Sequence, residues 1–208
     1  MTQRQVFPQV SLRTAALACG RGDMVLADNI GLDVAPGTGL LLRGPNGAGK
    51  STLLLTLAGL LPPLSGSVDF PGHDPETGPV LHHCGHRNAV RPRLEVLETL
   101  QFWAAINGAD GLAAPAALDR VGLARAARLD AAYLSAGQQR RLALARLLVS
   151  PRPVWLLDEP SAALDVAGQA LLADLLDAHF AAGGLAVIAT HDAIAAKGLT
   201  TLTLGAAS

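Results

Sequence analysis

The chain has 208 residues, half of them hydrophobic, with only 16% charged and a formal net charge of -1. That length suits one domain with a full core and an inserted lobe, and the charge balance excludes nucleic acid as the main ligand. No uninterrupted apolar run approaches the ~20 residues of a membrane-spanning helix, so the apolar excess points to a docking face instead.

Residues from about Val10 to Arg43 alternate apolar stretches with turns at Arg21-Gly22-Asp23 and Ala35-Pro36-Gly37, which predicts β-structure. Within it, Leu12 to Cys19 has an apolar part too short for an export signal and is broken by Arg13, so it is read as a strand. The absence of a targeting segment and the two cysteines, Cys19 and Cys84, predict a reducing, cytoplasmic setting with buried thiols.

Leu40 to Arg43 reads as a buried strand. Gly44-Pro45-Asn46-Gly47-Ala48-Gly49-Lys50-Ser51 after it fills G-x-x-x-x-G-K-[ST] at every fixed position. Glycines let successive backbone N–H groups turn inward, and a helix N-terminus adds its positive dipole end, so such a loop binds polyphosphate. Lys50 reaches the β- and γ-phosphates, the Ser51 hydroxyl ligates magnesium, and Thr52 continues the phosphate-facing turn. Ser51 to Leu60 is expected to be helical, ended by Pro62-Pro63. The chain is read as a binder of nucleoside triphosphate.

Ser65 to Phe70 reads as a turn into a strand, Pro71 to Pro79 as a loop and Val80 to Cys84 as a short strand. His82, His83, Cys84 and His86 invite a metal or heme reading, but on a strand His82 and Cys84 share one face while His83 points oppositely. No C-x-x-C-H pattern is present, so ordinary strand packing is expected. Arg87, Arg91 and Arg93 form a local basic patch, read as a solvated loop face. From Leu94 to about Leu123 the pattern is helical, with Val96, Leu100 and Trp103 on one face and Phe102 pointing away from it.

Leu134-Ser135-Ala136-Gly137-Gln138 precedes a helix from Gln139 to Leu147, and places Ser135 and the following N–H groups at a helix N-terminus. Val154 to Leu157 is a compact apolar run ending in Asp158-Glu159, and Ala186 to Thr190, ending at His191, is its twin. Strands alternating with helices predict a parallel sheet with its chemistry at the strand C-termini. Asp158 sits where it can hold magnesium, and Glu159, one residue on, is free to polarise an attacking water as general base.

Together these motifs resemble the ATP-binding-cassette ATPases over nearly the whole chain. Leu134 to Gln138 is similar to the family's L-S-G-G-Q signature, with Ala136 where glycine is usual. Ser161 to Asp165 resembles its D-loop, and His191-Asp192 its switch histidine. The resemblance implies an α/β fold of the P-loop NTPase type: a mixed core sheet, an N-terminal antiparallel β-subdomain and a helical lobe at about 88–140, in one domain spanning 1–208. It implies ATP and Mg2+ as ligands, with Lys50, Ser51 and Asp158 handling phosphate and metal, Glu159 activating water and His191 contacting the γ-phosphate. It also implies a head-to-tail dimer of two copies, in which Ser135, Gly137 and Gln138 close the partner copy's site and Asp165 communicates across the dimer.

Two positions depart from the family. Arg87, assigned to the coupling loop, falls where a glutamine usually links the γ-phosphate to the transporter partner; an arginine only donates and cannot ligate magnesium. Arg21 falls where an aromatic residue usually stacks on adenine, and its planar guanidinium can stack instead.

A single P-loop and the lack of a long heptad insertion disfavour the translation-factor and chromosome-maintenance branches. The stretch from Gly85 to Trp103, with the short total length, resembles the ATP-binding subunits of heme exporters of cytochrome c maturation. That likeness implies integral membrane subunits as partners and a peripheral position on the cytoplasmic face of the bacterial inner membrane. A multidrug-type or other small-molecule exporter subunit and a non-transport ATP switch are the alternatives.

Overall fold

The computed structural model describes residues 6–22 and 24–205, which divide into two compact units. One comprises Met1–Gly85, Arg152–Pro160 and Ala173–Ser208; the other comprises His86–Pro151 and Ser161–Leu172. Asp23, the last residue of the expected first turn, lies outside the described residues.

The first unit contains two sheets. β1 (Leu12–Arg21), β2 (Met24–Val34) and β4 (Ser65–Asp69) form an antiparallel sheet in the order β2-β1-β4. β1 is the strand expected from Leu12 to Cys19, and it is bulged: register shifts surround Leu17, and Ala16 has φ 46°. Thr14 mends the ladder there, its hydroxyl donating to the Ile30 carbonyl at 2.8 Å and accepting from the Leu32 N–H at 2.9 Å.

β3 (Gly39–Arg43), β5 (Leu81–Cys84), β6 (Val154–Asp158), β7 (Leu185–Ala189) and β8 (Leu199–Thr203) form a fully parallel sheet in the order β5-β6-β7-β3-β8. The antiparallel sheet is the N-terminal β-subdomain expected, and the core sheet, expected to be mixed, is parallel among the described residues. Every residue of β6 and β7 is buried, as strands covered on both faces require, and this explains their unbroken apolar runs. Leu42, Leu53, Leu54, Leu156 and Val187 share the core of this unit.

α1 (Lys50–Leu57) is shorter than the expected Ser51–Leu60, and prolines do not end it. Gly59 takes φ 69°, its N–H reaching the Thr56 carbonyl at 3.0 Å while that of Leu60 reaches Leu55 at 2.9 Å. This paired closure at a left-handed glycine stops the helix at Leu57, five residues before Pro62.

The second unit is helical. The single helical stretch expected from Leu94 to about Leu123 is two helices, α2 (Val96–Asn107) and α3 (Ala114–Arg120), because Gly108 at φ 95° breaks the run. α4 (Ala136–Val149) packs with them around Val96, Leu100, Leu118 and Leu142. α5 (Val166–Ala181) begins in this unit and ends in the first.

A buried histidine in the first unit makes stability depend on pH. His179 is 4% exposed, stacks on Trp155 with centroids 3.8 Å apart, and places Nε2 3.1 Å from the Leu185 carbonyl. Burial pushes its pKa down to about 4 from the ordinary 6.5. Between these values the unfolded chain binds a proton that the folded one refuses, so stability is complete above about pH 6.5 and falls as the pH drops towards 4. The full difference is about 3 kcal/mol. Urea midpoints measured from pH 7 to 4.5 should fall less steeply in His179→Phe than in the parent; equal slopes would contradict the assignment.

Candidate nucleotide site

The parallel sheet gathers the candidate residues at one edge, since the P-loop leaves the end of β3, Asp158-Glu159 the end of β6 and His191 the end of β7. The loop's backbone demands glycine. Gly44 adopts φ 135°, and a Cβ there would meet the Leu204 carbonyl oxygen; Gly47 adopts φ 85°. Gly49 caps α1 in the left-handed conformation, leaving the first N–H groups of the helix facing the loop.

Lys50 is 8% exposed. Its ammonium donates to the carbonyls of Gly44 at 2.8 Å and Pro45 at 2.9 Å, and lies 3.2 Å from Nε2 of His191. That ring nitrogen is also 2.9 Å from Asn46 Oδ1 and 3.7 Å from Glu159 Oε1. One ring nitrogen satisfies a donor such as Lys50 or an acceptor such as Asn46, never both at once. An anionic oxygen placed between them resolves the conflict by accepting from Lys50 and from a protonated Nε2 together.

Glu159 has φ 47°, an uncommon conformation for a side chain of this size. Its N–H is anchored on the Ala189 carbonyl at 2.7 Å, and its carboxylate reaches back to the His191 N–H at 3.4 Å. This left-handed turn, costing about 1–2 kcal/mol, aims the acid at the loop that carries the histidine. Asp158 is buried at the end of β6, while Ser51 is half-buried in the first turn of α1. A hydroxyl and a carboxylate are hard oxygen donors of the kind magnesium takes.

Arg43 was not singled out by sequence pattern. Its guanidinium spans the His191 turn, bonding the carbonyls of Thr190 at 2.8 Å and Asp192 at 2.6 Å. The one signal is a charge closing an otherwise apolar strand. Arg21 is exposed at the end of β1.

In the second unit, Ser135 is the N-cap of α4, and with Gln138 it forms a reciprocal capping box. Ser135, Ala136, Gly137 and Gln138 line an open cup of about 630 Å³ together with Arg141 and Asp165, while Leu134 is buried beneath. Arg141 donates to Asp165 at 2.6 Å, and Asp165 also accepts the Gly168 N–H at 2.8 Å. Those bonds, the Gly168 N–H first and then the guanidinium, hold the Asp165 carboxyl below the usual carboxylate range. Arg141 is the second residue that sequence reading missed, its acid being 24 residues away. Arg87 is exposed in the segment after β5, and the next residue, Asn88, accepts from the buried Arg140 at 3.0 Å.

The histidine-rich strand behaves as its alternation predicted: His82 and Cys84 are buried and His83 is half-buried. Burial pushes the His83 imidazole below its ordinary range against the opposing pull of Asp158. No group of three or more His, Cys, Asp or Glu side chains among the described residues is placed to hold a metal ion, and no described helix is long and apolar enough to cross a membrane.

Residues 27–162 match the ABC transporter family model. The chain is 50% identical over 197 residues to the cytochrome c biogenesis ATP-binding export protein CcmA of Rhodopseudomonas palustris strain HaA2, covering 92% of this chain and 96% of that protein. It is 46% identical over 200 residues to CcmA of Chelativorans sp. strain BNC1, covering 94% and 99%. The fold is similar to that of an ABC transporter ATP-binding protein from Pyrococcus furiosus, with TM-score 0.80 at 23% identity over 92% of this chain and 97% of that one. The chain belongs to the ABC transporter family, as an ATP-binding ATPase subunit.

Glu159→Gln keeps the shape of the turn but removes the carboxylate expected to act as general base. It should leave ATP binding near the parent value and lower hydrolysis roughly 100- to 10,000-fold. Near-parental turnover would remove Glu159 from the role. Lys50→Ala should weaken both nucleotide affinity and turnover, as binding titrations and phosphate release will report; unchanged values for both would rule out the P-loop assignment.

Proposed function

We propose that this chain is the ATP-hydrolysing subunit of a multi-subunit exporter of cytochrome c biogenesis, with heme as the exported molecule. The observation that carries this reading is the roughly half-identical match to CcmA proteins over almost the full length of both chains. The name of those proteins assigns them export and ATP binding, and the site residues here suit the same work.

In the proposed mechanism, inward N–H groups from Gly44 to Ser51 cradle the phosphates, and Lys50 exchanges loop carbonyls for β- and γ-phosphate oxygens. Ser51 and Asp158 would hold magnesium, which would offset the charge that builds on the phosphates. Glu159 takes the proton of the attacking water, and His191 hydrogen-bonds the γ-phosphate from its Arg43-braced turn. The helical unit carries the complementary half-site: Ser135, Gly137 and Gln138 at the start of α4 meet the ATP held by a second copy, head to tail. Asp165, held by Arg141, belongs to that same surface. Integral membrane chains supply the translocation path, and the subunit sits peripherally on the cytoplasmic face of the inner membrane.

The assembly reading is tested with two defective variants. Lys50→Ala and Ser135→Arg should each be inactive alone, whereas mixing them should restore hydrolysis through the one dimer site that both defects spare. A rate that is independent of protein concentration and never recovers on mixing would refute the shared site. Co-expression with neighbouring membrane chains should bring them down with the tagged subunit and stimulate its hydrolysis. Wholly soluble fractionation would favour an ATP switch instead.

A further inference from the structure

Thr190, His191 and Asp192 run on from the end of β7, and their backbone groups must find partners beyond the strand. The Thr190 N–H donates to the Leu42 carbonyl at 3.4 Å, the Asp192 N–H to the Thr190 hydroxyl at 3.0 Å, and the His191 N–H to Glu159 at 3.4 Å. The carbonyls on either side of the histidine, those of Thr190 and Asp192, both accept from Arg43, at 2.8 Å and 2.6 Å. Arg43 has no ion pair among the described residues, so its guanidinium is directed at the turn alone. A planar guanidinium is a rigid fork of donors and fixes two carbonyls at once, which a lysine's single ammonium does not. Both acceptors are main-chain atoms, so the fork fixes the path of the backbone around the histidine.

Arg43 also closes β3 immediately before Gly44, and its own carbonyl accepts the Leu204 N–H at 2.8 Å. One strand end therefore carries both Gly44, whose carbonyl holds the Lys50 ammonium, and the side chain that holds the His191 turn. The 3.2 Å between Lys50 Nζ and His191 Nε2 is set from this single point. The bond from the His191 N–H to Glu159 is a different kind of anchor. At 3.4 Å it is weak, and it ends on the carboxylate that the chemistry needs elsewhere. A general base must turn towards its water, and it accepts less well once it has taken the proton. The turn then keeps its other anchors, of which the two from Arg43 are the shortest.

We propose that Arg43 is a positioning residue of the hydrolysis step. It fixes the spacing between Lys50 and the His191 ring, and it keeps that ring on the γ-phosphate while Glu159 turns from the His191 N–H to the attacking water. This inference rests on the reading of His191 as a γ-phosphate contact and adds what holds the histidine in place. Because Arg43 touches neither nucleotide nor water in this account, its loss acts on turnover and spares binding.

Kinetics and ATP titrations on the full chain test it. Arg43→Leu extends the apolar run of β3 and removes both donors. Its kcat should fall about 10- to 100-fold, the effect of misplacing a catalytic group by about 1 Å, with ATP affinity within about twofold of the parent. Arg43→Lys keeps the charge without the fork and should recover part of the loss. The double variant Arg43→Leu/His191→Ala should be no slower than His191→Ala alone, because the arginine acts through the histidine. Parental turnover in Arg43→Leu, a loss of affinity as large as the loss of turnover, or losses that multiply in the double variant would each overturn the positioning role. Should Arg43→Leu fail to fold, Arg43→Gln, which can still donate to one carbonyl, carries the same comparisons. If His191→Ala hydrolyses ATP like the parent, the γ-phosphate reading of His191 fails and this inference with it. If His191→Ala is slow and Arg43→Leu is not, only the positioning role fails.

Discussion

The ammonium of Lys50 is a charge placed where the protein must satisfy it. At 8% exposure it cannot rely on water, so the carbonyls of Gly44 and Pro45 turn inward to accept it. Those carbonyls can turn only because Gly44 adopts a backbone angle that a side chain would block against Leu204. The resulting loop runs into the left-handed cap at Gly49, where the first N–H groups of α1 lie. Glycine at the strand end, lysine on the helix and the left-handed cap between them are thus parts of one solution.

The parallel sheet makes that solution useful. Three adjacent strand ends, β6, β7 and β3, carry the acids, the histidine turn and the loop, so side chains distant in sequence share one edge. The rigid strands hold the strained elements in place. Glu159 keeps a left-handed backbone because β7 accepts its N–H at Ala189, and the His191 turn is gripped by Arg43 from β3. The histidine's competing neighbours, Lys50 and Asn46, leave its ring poised to change partner when an anion arrives.

The sequence carried the P-loop, the two buried central strands and the Ser135 cap legibly, because each depends on neighbours in the chain: fixed glycines, unbroken apolar runs, a serine three residues before a glutamine. The alternating burial of His82, His83 and Cys84 was readable for the same local reason. Misplaced boundaries came from weighing proline over glycine. Gly59 ends α1 before Pro62 can act, and Gly108 divides what reads as one continuous helical pattern. Arg43 and Arg141 were illegible because their partners come together only on folding. His179 was missed in the same way: its burial on Trp155 joins segments 24 residues apart, and nothing near it in sequence marks it as unusual.

The central claim is that the γ-phosphate of ATP binds between Lys50 and His191, replacing their direct 3.2 Å contact. The measurement that tests it most directly is a structure of the chain with Mg2+ and a non-hydrolysable ATP analogue. The account predicts the analogue's γ-phosphate within hydrogen-bond reach of both Lys50 Nζ and His191 Nε2, with Asn46 displaced from the ring and the Glu159 carboxylate facing the phosphate across one water. A γ-phosphate bound away from Lys50, or a His191 ring still paired with Asn46 in the loaded site, would contradict it.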